Sequence, residues 1–278
     1  MANAFQGWRN AAARMIGTYF GLAFLALMAH SANALAQCLP MVQAEPKIIQ
    51  AALPKTGDVR LSYLGHSSFL IESAGGVAAV TDYNGVHRAP FAPDIVTMNN
   101  AHSTHYTEVI EPGVAHVLRG WGEDGRIAEH DLAFEDVRVR NIPTNLRNFG
   151  GTRYNSNSIF VFELADLCIA HLGHLHHTLS QQHLQELGLI DVLLVPIDGA
   201  YTMSQELMAE VVNQISPSIV IPMHYFSNYS VERFAGLMRG RFEAIYSQTP
   251  TIVFSRLTLP YKKIVVLAGG EAAFFDDE

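Results

Sequence analysis

The stretch Asp94–Tyr106, DIVTMNNAHSTHY, decides how the rest of the chain is read. Ile95–Met98 is an apolar run of strand length, and it empties into a polar loop that holds His102 and His105 three residues apart. A buried strand gives a rigid base, and the turn after it can aim neutral imidazole nitrogens at one point. Two later apolar runs end the same way, at His171-Leu172-Gly173-His174 and at Pro222-Met223-His224. Three strand ends bearing histidine imply a scaffold that brings them together, and the remaining sequence is read as that scaffold.

The first residues do not belong to it. Arg9 and Arg14 form a basic segment, Met15–Ala29 is apolar but shorter than a membrane span, and Ala34-Leu35-Ala36 has the small-x-small form of a cleavage site. Residues 1–36 therefore read as a secretory signal cut after Ala36, which makes the mature protein periplasmic or secreted. Cys38 keeps a lipoprotein signal open as a rival, although Gln37 is large for that processing, and an uncleaved anchor is the other alternative. Removing residues 1–36 takes two of the 18 Lys+Arg and none of the 26 Asp+Glu, so the net charge falls from −8 to −10. An acidic chain of this kind argues against nucleic acid as a partner, and against a membrane beyond the signal segment. Two cysteines, Cys38 and Cys168, make no disulfide scaffold, and whether they pair is left open.

Residues 37–57 are rich in Ala, Pro and Gln without a period and read as a linker to one domain, 58–278. Its length, about 240 residues with the linker, suffices for a single large core. Val59–Leu64, Phe69–Glu72, Val77–Thr81, Ala115–Leu118, Leu132–Phe134 and Val137–Ile142 read as strands around the organising one. Asn141–Asn157 is polar and reads as a long functional loop. Ser158–Glu163 and Leu167–His171 form a hairpin, after which helix and strand alternate. Helices are expected at Gln181–Leu187, Gln205–Ile215 and Val231–Met238, with Ser180 and Ser204 as N-caps and Gly188 as a C-cap. Strands Val192–Val195, Ser218–Ile221, Phe242–Tyr246, Thr251–Ser255 and Lys263–Leu267 complete an α/β pattern of two packed sheets with helices outside.

Thirteen histidines are many for 278 residues. His87, His116, His130 and His183 read as ordinary hydrogen-bonded or solvated rings. His171, His174, His176 and His177 form a denser cluster, either part of a site or a flexible metal-scavenging loop. Within this pattern Gly65–Glu72 (GHSSFLIE), Thr81-Asp82, Asn157–Gly173, Asp191–Ser204 and Ile221–Tyr225 resemble the metallo-β-lactamase superfamily. The likeness is to its branch of ascorbate-phosphate-lactonase-like and related zinc-dependent hydrolases, and it spans Val59 to Tyr225. It implies an αββα four-layer sandwich, the metallo-β-lactamase fold, with a metal centre at one edge of the sheets.

The ligand positions depart from that family. Its T-H-x-H-x-D-H loop matches here at His102 and His105, while Asn100 and Thr104 replace a histidine and the aspartate. A further family histidine falls at Asn145, the bridging aspartate at His174, and the last histidine is kept at His224. The resemblance thus implies one metal per chain, zinc, on His105, His174 and His224, with His102 or water completing a tetrahedron. A metal-bound water would then attack a small lactone, ester, amide or phosphoester. Asp82 would orient a ligating histidine or cap a turn. His66 would face the substrate or close the Gly65 turn, and Asp198 would be a base or a turn residue. Tyr201 and Tyr225 would donate to a developing oxyanion or simply pack. The rivals are a non-catalytic member that binds a ligand in a degenerate site, and a metal buffer built on His171–His177.

Overall fold

The computed structural model describes residues 56–123, 126–148 and 150–269. The signal segment 1–36, nearly all of the linker, Cys38 and the acidic tail 276–278 lie outside the described residues. Two sheets organise the chain. The six-stranded sheet contains β1 (Val59–Gly65), β2 (Ser68–Glu72), β3 (Ala78–Val80), β4 (Ile95–Met98), β5 (His116–Arg119) and β13 (Thr251–Phe254), in the order β13-β1-β2-β3-β4-β5. The eight-stranded sheet runs β12-β14-β11-β10-β9-β8-β7-β6. Its strands are β6 (Asp131–Phe134), β7 (Val137–Asn148), β8 (Gly151–Leu164), β9 (Leu167–His171), β10 (Val192–Pro196), β11 (Ile219–Met223), β12 (Glu243–Tyr246) and β14 (Lys263–Val266). Strands β9, β10, β11, β14 and β12 pair in parallel, as the alternating helix–strand half of the sequence requires.

Alternation along each strand assigns the layers. Leu61, Phe69, Ile71 and Ile95 of the smaller sheet meet Phe160, Phe162, Ile169, Leu194 and Ile221 of the larger in one buried core. On the far side of the larger sheet, Val161, Ala170, Leu193, Val195 and Val220 pack against helices. These are α1 (Gln181–Leu187), α2 (Gln205–Ile215) and α3 (Asn228–Leu237). On the outer face of the smaller sheet Leu70, Val80, Val96 and Met98 are covered by Tyr106, Ile110 and Trp121 from loops. The result is the αββα-type sandwich, with helices on one outer face and loops on the other among the described residues.

Local chemistry explains the helix ends. Ser180 Oγ accepts from His183 N–H while the His183 ring accepts from Ser180 N–H, a reciprocal cap that occupies His183. Ser204 Oγ accepts from Leu207 N–H, and Gly188 closes α1 at φ 69°.

The polar stretch 141–157 is not a loop. It forms the outer arms of the β7–β8 hairpin, whose register shifts between Thr144 and Leu146. On β7, Ile142, Thr144 and Leu146 turn inward while the alternate residues are mostly polar, and Asn157 Nδ2–H donates to Thr144 Oγ1 at 2.7 Å across the pair. The closing strand β13 also departs from simple order, since it leaves the α/β half to pair with β1. Cys168 is disulfide-bonded, and Cys38, the other cysteine of the sequence, lies outside the described residues. Among the described residues no helix is long and apolar enough to cross a membrane.

Candidate metal centre

Strand ends from both sheets converge at one edge of the sandwich. His66 follows β1 and His105 the loop after β4 in the smaller sheet; His224 follows β11 and His174 follows β9 in the larger. His224 N–H donates to the His66 carbonyl at 2.8 Å, a backbone bond between the two sheets' loops, and Tyr63 Oη donates to the same oxygen. His66, Asp82 and His224 all hold positive φ (53°, 43° and 52°), a conformation that costs a side-chain-bearing residue energy and persists where the surroundings impose it. Gly65 is required just before: a Cβ there would collide with the His87 ring. Gly173 is required before His174, where a Cβ would stand 2.5 Å from Asn99 Cβ.

Among the described residues, His66, His105 and His224 form the group whose ligating atoms all lie within 4.8 Å of one another, and all three are buried. The His66 and His224 ring centroids are 4.1 Å apart, and the His105 and His224 rings stack at 5.3 Å. Behind His105, Asp82 Oδ2 sits 2.6 Å from Nδ1, and both side chains are fully buried. The Asn99 N–H donates to Asp82 Oδ1 at 3.1 Å, so the carboxylate is fixed as well. Behind His224, Asp198 Oδ1 lies 3.2 Å from Nδ1.

Asp198 is otherwise committed. Its Oδ2 accepts from the backbone N–H of Ala200, Tyr201 and Thr202, and Oδ1 accepts from Thr202 Oγ1 at 2.6 Å. Burial pushes its pKa up, but the hydrogen bonds from His224, Thr202 and the backbone outweigh that and hold it below the usual carboxylate value. The carboxylate is therefore an orienting group behind a histidine, with no oxygen left to act as the base expected of it. Burial pushes the Asp82 carboxyl up. Burial first, and then the neighbouring rings, push the His66 and His174 imidazoles down to about 2, and His105 well below its ordinary value. Neutral imidazoles are the form that ligates metal, and carboxylates behind them fix the tautomer and ring orientation. The donor chemistry fits a divalent metal.

The other sequence candidates fall around this trio. His174 Nδ1 lies 2.9 Å from His105 Nε2, and its backbone N–H donates to Asn157 Oδ1. It adjoins the trio, its ring 4.7 Å from that of His105 and 5.3 Å from that of His224. His102 is exposed, its Nδ1 held by Thr104 Oγ1 at 3.0 Å and its ring 6.0 Å from those of His105 and His174. It stands at the exposed rim of the cavity. The dense histidine cluster separates: His171 is fully buried, with Nε2–H donating to the Ser67 carbonyl, while His176 and His177 accept from the backbone of Arg147 and Asn145 in the hairpin. A scavenging loop is not what these residues form. Tyr225 is buried in the helix-side core and packs; Tyr201 does reach the site.

A cavity of about 420 Å³ opens over the centre, lined by His66, His102, Thr104, His174 and His224 with Tyr201 and Phe226. Phe226 is the lining residue that the motifs do not mark; its place two residues after a strand-end histidine is the signal for it.

Residues 60–224 match the family described as the beta-lactamase superfamily domain. A metal-dependent hydrolase of Thermococcus kodakarensis is 27% identical over 195 residues, covering 60% of this chain and 84% of that protein. A second metal-dependent hydrolase, from Nanoarchaeum equitans, is 28% identical over 192 residues with the same coverage, 60% and 84%. Among solved structures, a Thermotoga maritima protein assigned to the zinc-dependent hydrolases of the metallo-β-lactamase superfamily superposes with a TM-score of 0.56 at 24% identity, over 75% of this chain and 99% of that one.

Proposed function

Because this chain belongs to the beta-lactamase superfamily, we propose that it is a metal-dependent hydrolase whose His66, His105 and His224 hold one divalent metal, zinc by the character of an all-imidazole set. The observation that carries the reading is the buried trio itself, two of whose members are oriented from behind by buried aspartates. Bound there, zinc supplies a Lewis acid and lowers the pKa of water, and three protein ligands leave room for that water. The chain's own groups do the rest. Asp82 and Asp198 hold His105 and His224 in register. His102, the exposed cavity ring outside the trio, is placed to accept a proton from the attacking water and return it to the leaving group. In an ester, water oxygen bonds to the acyl carbon, the acyl C–O bond breaks, and the alkoxide leaves with that proton as an alcohol. The relatives named metal-dependent hydrolases support the same class.

Elemental analysis after dialysis of the purified protein against a mild chelator tests the centre. About one zinc per chain is expected, as for a single three-ligand site, together with zinc-dependent hydrolysis of p-nitrophenyl acetate. Loss of all metal from the wild type, or hydrolysis indifferent to zinc, would overturn the proposal. The substrate is read as a small molecule and the location as outside the cytoplasm, the latter from the signal-like segment 1–36. N-terminal sequencing of the mature protein should begin at Gln37, whereas an unprocessed intracellular chain would refute export.

A further inference from the structure

The metal centre occupies the floor of the cavity, and its wall carries a different chemistry. Tyr201, in the β10–α2 loop, and Phe226, in the β11–α3 loop, meet edge to face with centroids 5.7 Å apart and planes at 77°. The Phe226 ring stands 5.7 Å from His224 and 6.2 Å from His66, directly beside the trio. Both aromatics expose large areas, 66% for Tyr201 and 38% for Phe226. Exposed aromatics usually ride on pliable loops, but these are anchored. The Asp198 carboxylate ties down the backbone of Ala200, Tyr201 and Thr202, and Phe226 follows Tyr225, which is buried in the core. A rigid aromatic pair held open to solvent beside a metal site is a built surface for an apolar group.

Charge argues in the same direction. No Lys or Arg is among the described residues that line the cavity. Phosphoryl transfer distributes negative charge over non-bridging oxygens and is catalysed by cationic clamps on them. A single metal in a cavity whose described lining carries no guanidinium or ammonium is poorly equipped for that task. Acyl transfer from a neutral ester develops one oxyanion, which one cation can serve.

We infer that the cavity takes neutral acyl substrates, esters or lactones, whose aromatic or alkyl portion packs on Tyr201 and Phe226, and that it discriminates against phosphoesters. This inference rests on the hydrolase reading above.

The test uses the full-length zinc-loaded protein with p-nitrophenyl acetate, p-nitrophenyl hexanoate and bis(p-nitrophenyl) phosphate. The expected result is a kcat/KM for hexanoate about tenfold or more above that for acetate, the order that a few methylenes confer in an apolar pocket, with the phosphate diester the poorest of the three. Phe226→Ala and Tyr201→Ala should each lower the hexanoate-to-acetate ratio severalfold without changing zinc content. A readout independent of turnover is binding of 2-acetylnaphthalene, a neutral aromatic ketone, followed by saturation-transfer NMR. It should bind the wild type and weaken in both variants, while phenyl phosphate shows no such dependence. Preference for the phosphate diester, or equal ketone binding in wild type and variants, would overturn the inference. Zinc-dependent turnover of none of the three, with ketone binding still sensitive to Phe226→Ala, would instead overturn the hydrolase reading and leave the apolar wall standing.

Discussion

Asp82 shows how much a single buried carboxylate can decide. Its Oδ2 lies 2.6 Å from His105 Nδ1, and removing it would leave that nitrogen with only the longer 3.3 Å contact from Ser67 Oγ. Asp82→Ala is expected to weaken zinc binding about 10- to 100-fold, the usual cost of losing the group behind a ligating histidine; competition against a coloured chelator measures it. A second comparison separates the trio from its neighbour. His66→Ala should lose stoichiometric zinc, whereas His174→Ala, outside the trio, should keep it. Zinc lost equally from both would return His174 to the ligand set. Residues His105, His174 and His224 could be found in the sequence because each follows an apolar strand and matches a family position. The part played by His66 could not, since it depends on a left-handed turn at φ 53° that sequence spacing does not encode. Nor could the commitment of Asp198 to its own turn, which arises from three consecutive backbone N–H groups folding back on it.

Elements with one clearly apolar face were legible, and those without were not. The helices Gln181–Leu187 and Gln205–Ile215 stand where their caps and apolar spacing put them, because each presses one face on the larger sheet. The β7–β8 arms were hidden because only Ile142 and Leu146 mark a buried face among Asn, Arg, Gly and Thr, and the pairing rests largely on backbone and amide hydrogen bonds. One charged residue fastens these two kinds of element together. Arg140 of β7 donates from Nε to Glu163 Oε1 at 2.7 Å and from Nη1 and Nη2 to the Glu186 and Leu187 carbonyls that end α1. Glu163 has no solvent access. Arg140→Ala would strand that carboxylate with only the 3.2 Å contact from Arg138, and is expected to destabilise the protein by about 3–5 kcal/mol. The double variant Arg140→Met with Glu163→Leu should recover much of this, since neither charge is then buried alone. Urea denaturation compares the three proteins. A single variant as stable as the wild type would show that the α1 terminus is held by packing instead.

At the scale of the whole molecule, the centre lies where two separately hydrogen-bonded sheets meet. His66 and His105 come from the six-stranded sheet and His224 from the eight-stranded one. Hydrogen bonds already cross at this edge, among them His224 N–H to the His66 carbonyl, Ser158 N–H to the Asn99 carbonyl and His171 Nε2–H to the Ser67 carbonyl. A metal shared by the trio would add a tether between the sheets that the unfolded chain cannot assemble, so its binding energy becomes folding energy. At free zinc 1,000-fold above its dissociation constant the gain is about 4 kcal/mol. For a domain of this size that corresponds to a rise in Tm of roughly 8–16 °C. Differential scanning calorimetry of chelated and zinc-loaded wild type should show the shift, and His224→Ala, which removes the larger sheet's contribution, should abolish it. Equal Tm values with and without zinc in the wild type would mean that the three rings do not share a metal, however close they stand. A shift that survived His224→Ala would place the metal on one sheet alone.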